Sequence, residues 1–129
     1  MAVVSVRMAL GLDAVASGAM GVMLVLGAGL AAPLLGLPEG LLRGCGLFFL
    51  PWAAAVGWLA MRPAPGRRAV AWVAGLNAVW VVDSVVLLAS GWVAPTGLGV
   101  AFVLAQAAAV AVFAALQAGA LPPARPALA

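Results

Sequence analysis

The 129-residue chain has no lysine, no histidine and no tyrosine, and its only cysteine is Cys45. Without histidine, and with one cysteine, the usual zinc, copper and haem ligand sets cannot be assembled. The lack of lysine excludes a retinal Schiff base, and it leaves serine without a familiar activating base. A single cysteine cannot form an internal disulfide, so Cys45 reads as a small apolar packing residue. No P-loop, dinucleotide fingerprint or phosphate cradle occurs. These absences lead us to expect no cofactor, no metal and no enzyme activity. Charge is scarce too. Charged residues make up 7% of the chain, whereas a soluble domain carries about 25%. A chain so poor in charge cannot cover the surface of a soluble fold.

What the chain does have is apolar length. Hydrophobic residues make up 67%, and they fall into four runs at roughly 9–31, 41–61, 69–91 and 97–119. A membrane-spanning helix needs about 20 mainly apolar residues. The runs therefore predict an all-α membrane protein, with four transmembrane helices in an up-down bundle. Spanning strands do not fit, because the runs lack strict alternation and are about twice strand length. The stretch from Arg7 through "AVASGA" is built like a secretory signal. Its apolar run continues to Ala32, however, so we read a retained first helix, with cleavage as the alternative. Proline and glycine in "APLLGLPEG", "RPAPG" and "APTG" separate the helices, and Pro51 predicts a kink inside the second. The connections are too short for any further domain. Residues 1–121 read as one transmembrane domain and 122–129 as a short proline-rich tail.

The charges set an expected orientation. All six basic residues are arginines, set against Asp13, Glu39 and Asp83. Arg7, Arg62, Arg67, Arg68 and Arg125 share one side in a four-helix topology, and Arg43, near Glu39, is alone on the other. Cytoplasmic loops collect arginine. Both termini are expected in the cytoplasm of a bacterial inner membrane. Arginines at helix ends are no nucleic-acid footprint; the partners expected are the lipid bilayer and a homo-oligomer or larger membrane complex.

The two halves of the chain echo each other: "LDAV" (12–15) matches "LNAV" (76–79), "GLAAP" matches "GWVAP", "GLFF" matches "GVAF", and "AAAV" occurs at 53–56 and 107–110. Both halves would start at the same membrane face, as a parallel repeat of two helices each. Short matches also arise by chance in a chain so rich in alanine, valine and glycine. The echo pairs Asp13 with Asn77. Small residues recur at steps of three and four: Gly11, Ala14, Gly18 and Gly21; Gly40 and Gly44, then Ala53 and Gly57; and Gly97, Ala101, Ala105 and Ala109. Such stripes let backbones approach closely in lipid. We expect them to pack within the bundle, though a dimer face would use the same pattern. Trp58, Trp72 and Trp92 lie near helix ends and read as interface anchors.

The polar residues inside the runs are the candidate site. Side chains lean toward a helix N-terminus, so Asp13 is expected to reach the interface and pair with Arg62, Arg67 or Arg68. Asp83 lies roughly 12 Å below the outer end of the third helix, and Gln106 roughly 13 Å below that of the fourth. The two are expected to face each other. Asn77 and Ser84 are seven residues apart, on one face with Trp80, and Asn77 is expected to hydrogen-bond Ser17. A carboxylate at that depth is a functional-site hypothesis by default. Asp83, Gln106, Asn77, Ser84 and Ser17 thus form a candidate intramembrane polar site, either purely structural or holding an ion or proton.

The stretches "LDAVASGAMG", "GLPEGLLRGCGLFFLPWAA" and "NAVWVVDSVVLLASGWVAPTGLGVAFVLAQA" resemble a group of small four-helix inner-membrane proteins of GC-rich bacteria. The resemblance implies the four-helix fold and no known activity, and it carries over no site residues. The expected role is a structural or accessory membrane protein. The alternative is a small oligomeric transporter or channel using the polar region around Asp83.

Overall fold

The computed structural model describes residues 5–122, so Arg125 and the tail beyond Pro122 lie outside the described residues. Among the described residues there are four helices: α1 (Val6–Leu35), α2 (Glu39–Met61), α3 (Arg67–Ser90) and α4 (Gly97–Gly119). All four are long and apolar enough to cross a membrane. The 23 residues of α2 or α4 rise about 35 Å, enough for a hydrocarbon core of about 30 Å.

The helix ends follow from local chemistry. Ser5 caps α1, its hydroxyl accepting from the Met8 amide at 3.1 Å, and Thr96 caps α4 by accepting from Gly99 at 3.1 Å. Pro33 does not stop α1, which runs four residues past the expected end at 31. The stop falls at Gly36, whose φ of 67° is the left-handed conformation glycine takes without strain. Glu39 opens α2, where its charge complements the helix N-terminus. Pro63 ends α2 by forcing Arg62 into extended backbone. Pro51 lies inside α2 without breaking it.

Neighbouring helices run antiparallel. The hairpins α1–α2 and α3–α4 join mainly along α1 and α4. In the first hairpin, Gly18 faces Ala53 and Gly57 faces Ala14, each with 3.6 Å left for an added Cβ. The tightest approach is Gly21 against Gly46, where a Cβ on Gly46 would sit 2.9 Å from the Gly21 carbonyl oxygen. The α1 stripe therefore packs inside the bundle as expected from Ala14 onward. Gly11, Gly40 and Gly44, by contrast, meet nothing within 4 Å. The ladder on α4 is a correction. Gly97, Ala101, Ala105 and Ala109 are exposed, and α4 packs instead through Gly99, Val103 and Ala107. The larger Val103 and the adjacent Gln106 occupy the inward face, which turns the small-residue row outward.

The α1–α2 and α3–α4 loops lock at one end. The Thr96 amide donates to the Leu35 carbonyl at 2.9 Å and its hydroxyl to that of Leu34 at 2.8 Å. These bonds satisfy carbonyls that the end of α1 would otherwise leave unpaired. A Cβ on Gly99 would occupy the space of the Leu35 carbonyl oxygen. The matching stretches "GLAAP" and "GWVAP" differ here: the first is helical, while the second lies at the left-handed Gly91 and in the loop after it.

The interior is layered. One apolar cluster holds Leu24, Ala28, Leu35, Leu37, Leu42, Phe49 and Val103; the other holds Leu10, Val56, Leu59 and Val70. Along α1 and α3, the buried polar residues fall between the two. The outside is apolar as well: Leu26, Leu30 and Trp92 are at least 80% exposed. Such a surface suits lipid, not water. Arg43 and Glu39 form an ion pair of 2.6 Å on α2.

Candidate functional site

Three helices meet at Asp13, which is 1% exposed. Its Oδ1 accepts from the Ser17 hydroxyl at 2.9 Å. Its Oδ2 accepts from Asn77 Nδ2 and from Gln117 Nε2, both at 2.8 Å. Asn77 Nδ2 also donates to Gln117 Oε1 at 3.0 Å. One carboxylate thus ties α1 to α3 and to α4. Asp13 is inward because it lies eleven residues before Leu24, within about 20° on the helix, on the face that makes the core.

This corrects the expected interfacial pairing of Asp13. Arg62 lies over the Trp58 ring, 4.8 Å from its centroid. Arg67 donates to the Pro122 carbonyl at 2.8 Å, and Arg68 is exposed beside Trp72. The depth of Asp13 matters less than its azimuth: Asn77 and Gln117 bring donors to it inside the bundle. Ser17 and Asn77 do come together, but through opposite oxygens of Asp13 rather than directly. Asp13 and Asn77, the residues the internal echo pairs, are directly bonded.

A second network sits nearer the other apolar cluster. Trp80 Nε1 donates to Gln106 Oε1 at 2.8 Å. Gln106 Nε2 donates to the Ser84 hydroxyl at 2.9 Å and to the Val103 carbonyl at 2.8 Å. The Ser84 hydroxyl donates to the Trp80 carbonyl at 2.8 Å. Asn77 and Ser84 do share the buried face.

The expected partnership of Asp83 with Gln106 is therefore overturned: Gln106 is taken by Trp80 and Ser84. Asp83 is exposed, on a different face of α3 from the buried Ser84. It is six residues from Asn77, roughly 120° around the helix, while Ser84 is seven away and nearly in line. Among the described residues, Asp83 makes no hydrogen bond or ion pair.

Gln117 is the site residue that sequence reasoning missed. It is fully buried, and it lies eleven residues after Gln106, which puts both glutamines on one face of α4. That spacing was available in the sequence. No buried polar side-chain atom among the described residues lacks a partner, and no cluster of three His, Cys, Asp or Glu occurs among them.

Between α2 and α3 the backbones stand apart and aromatic rings fill the gap. Phe48 stacks on Trp80 (5.8 Å between centroids, 3° between planes) and on Trp52 (6.1 Å, 20°). Phe49 packs against Trp80 at 4.9 Å. Beside these rings lies a cleft of about 270 Å³ that reaches Ser17, Asn77 and Asp83. Comparison with protein-family models, curated proteins and solved structures finds no match.

Proposed function

We propose that the protein is a small polytopic integral membrane protein of structural or accessory type, without catalytic activity. The observation that carries this reading is the Asp13 network, in which both carboxylate oxygens are engaged. The donors that bond it come from α1, α3 and α4, which suits a clamp between two helical hairpins. The exposed small-residue row of α4 favours an accessory role. A row of small residues lets a neighbouring helix approach closely. Gentle extraction followed by mass measurement of the intact species tests this. A stoichiometric homo-oligomer or larger complex supports the reading, and a lone monomer contradicts it.

The proposed setting is a bacterial inner membrane with both termini cytoplasmic, supported by the arginine bias. A reporter fused after Ala129 that works only when exported would overturn that orientation. The parallel repeat is favoured by the direct Asp13–Asn77 bond; unequal helix lengths, 30 residues in α1 against 24 in α3, count against it.

A transporter or channel is the second reading, favoured by the cleft that reaches Ser17, Asn77 and Asp83. Solute or ion flux in liposomes, abolished by Asp83→Asn, would support it. Undiminished flux in that variant, or no flux at all, would remove it.

A further inference from the structure

Apart from the Trp52 indole N–H, the side-chain polar atoms that the cleft between α2 and α3 leaves uncommitted are acceptors. Asp83 offers an exposed carboxylate with no partner among the described residues. Asn77 is 4% exposed, and both of its observed side-chain bonds are made through Nδ2. Its Oδ1 accepts no hydrogen bond among the described residues. Because no fully enclosed polar atom there is left unpaired, this oxygen is not sealed off, and the cleft is the opening Asn77 lines. The Ser17 hydroxyl donates its hydrogen bond to Asp13 and accepts none among the described residues. All three residues thus offer acceptors.

The walls have the same electrostatic sense. Phe48, Trp52 and Trp80 form the aromatic side of the cleft; Phe48 is stacked on both indoles and holds them in place, and indole faces attract cations, most strongly where water is excluded. A second opening of about 230 Å³ shares Asp83 and leads past Leu87 and Ser90 to Trp92 at the end of α3. Asp83 is therefore approachable both from the end of the helix and sideways from lipid.

We infer that this cleft binds a small organic cation, a quaternary or protonated alkylamine, with Asp83 as its counter-charge. Its alkyl groups lie against Phe48, Trp52 and Trp80, and its positive centre is turned toward Asp83 and Asn77 Oδ1. A bare metal ion fits less well. About 270 Å³ is far more room than such an ion fills, and hard cations gather several oxygen ligands at once, whereas no cluster of three acidic or other metal-binding side chains occurs among the described residues. The site is shared with the transport reading, but the outcome is separate, because binding at equilibrium requires no flux.

The test is equilibrium binding to the full chain in nanodiscs, followed by calorimetry and tryptophan fluorescence. The probes are tetraethylammonium and its uncharged isostere 3,3-diethylpentane. Saturable binding of tetraethylammonium, about tenfold or more tighter than the hydrocarbon, is expected from the charge and ring-face contributions. Asp83→Asn and Phe48→Leu should each weaken it about tenfold, a loss of about 1.4 kcal/mol. Asp83→Glu and Glu39→Gln should retain it. Equal affinity for cation and hydrocarbon overturns the inference, as does wild-type affinity in Asp83→Asn. Displacement by sodium at the same concentration overturns the organic character of the ligand. Wild-type protein that binds no cation, while Asp83→Asn changes its oligomeric state, assigns the face to a second copy and overturns the site. Should Asp83→Asn fail to fold, Phe48→Leu and the isostere comparison still decide.

Discussion

Two glycines two residues apart on α2, Gly44 and Gly46, lie on nearly opposite faces and should respond to the same substitution in opposite ways. A Cβ on Gly46 would lie 2.9 Å from the Gly21 carbonyl oxygen, from Leu24 Cβ and from a Val25 methyl. The first two are fixed to the α1 backbone, so the helices must separate. Overpacking of this kind costs about 1–3 kcal/mol. A Cβ on Gly44 meets nothing within 4 Å. Both sites are interior to α2, so the helix-propensity gain of about 1 kcal/mol from glycine to alanine is common to both. It cancels in the comparison. Gly46→Ala should therefore be less stable than Gly44→Ala by about 1–3 kcal/mol, or about 5- to 150-fold in the unfolding equilibrium. The assay is reversible unfolding in mixed detergent micelles, followed by circular dichroism. Equal stabilities would mean that the rotation of α2 against α1 is wrong.

Other outcomes follow from the polar contacts. In a Cys45→Ser background, cysteines at Ser84 and Gln106 should crosslink on oxidation while cysteines at Asp83 and Gln106 should not, read by mobility after protease cleavage between α3 and α4. Trp80→Phe removes the donor to Gln106 Oε1 and should cost about 1–3 kcal/mol in the same unfolding assay; no change would mean the bond is not formed in the membrane. Gly99→Ala should sharply lower the yield of folded protein, because its Cβ would collide with the Leu35 carbonyl, while Gly97→Ala, in open space, should not. Yields after extraction distinguish the two.

The spans were legible because each long apolar run becomes one helix, and because "RPAPG" and "APTG" punctuate them. The end of α1 was misjudged: Pro33 is tolerated near a helix end, and the true stop is Gly36. Depth along a helix was also readable, since rise is uniform. Rotation was not. Asp83 and Ser84 differ by one residue, yet one faces out and the other in, and only tertiary packing sets which. The same gap explains Asp13, whose lean toward the membrane surface says nothing of the donors waiting inside. Of the small-residue stripes, that of α1 was largely assigned correctly and that of α4 was not. In alanine-rich helices more than one face carries such a row, and sequence does not rank them.

The account rests on Asp13 joining the two hairpins through Gln117, and a double-mutant cycle measures that link most directly. Unfolding free energies of the wild type, Asp13→Ala, Gln117→Leu and the double variant isolate the pairwise term. Interhelical hydrogen bonds in membranes have coupling energies of about 0.6 kcal/mol on average and reach about 1.7. A two-residue bond that is 2.8 Å long and fully buried should fall in the upper part, at about 1–2 kcal/mol. Single effects that add to within about 0.3 kcal/mol would show that Asp13 and Gln117 act independently, and would contradict the clamp.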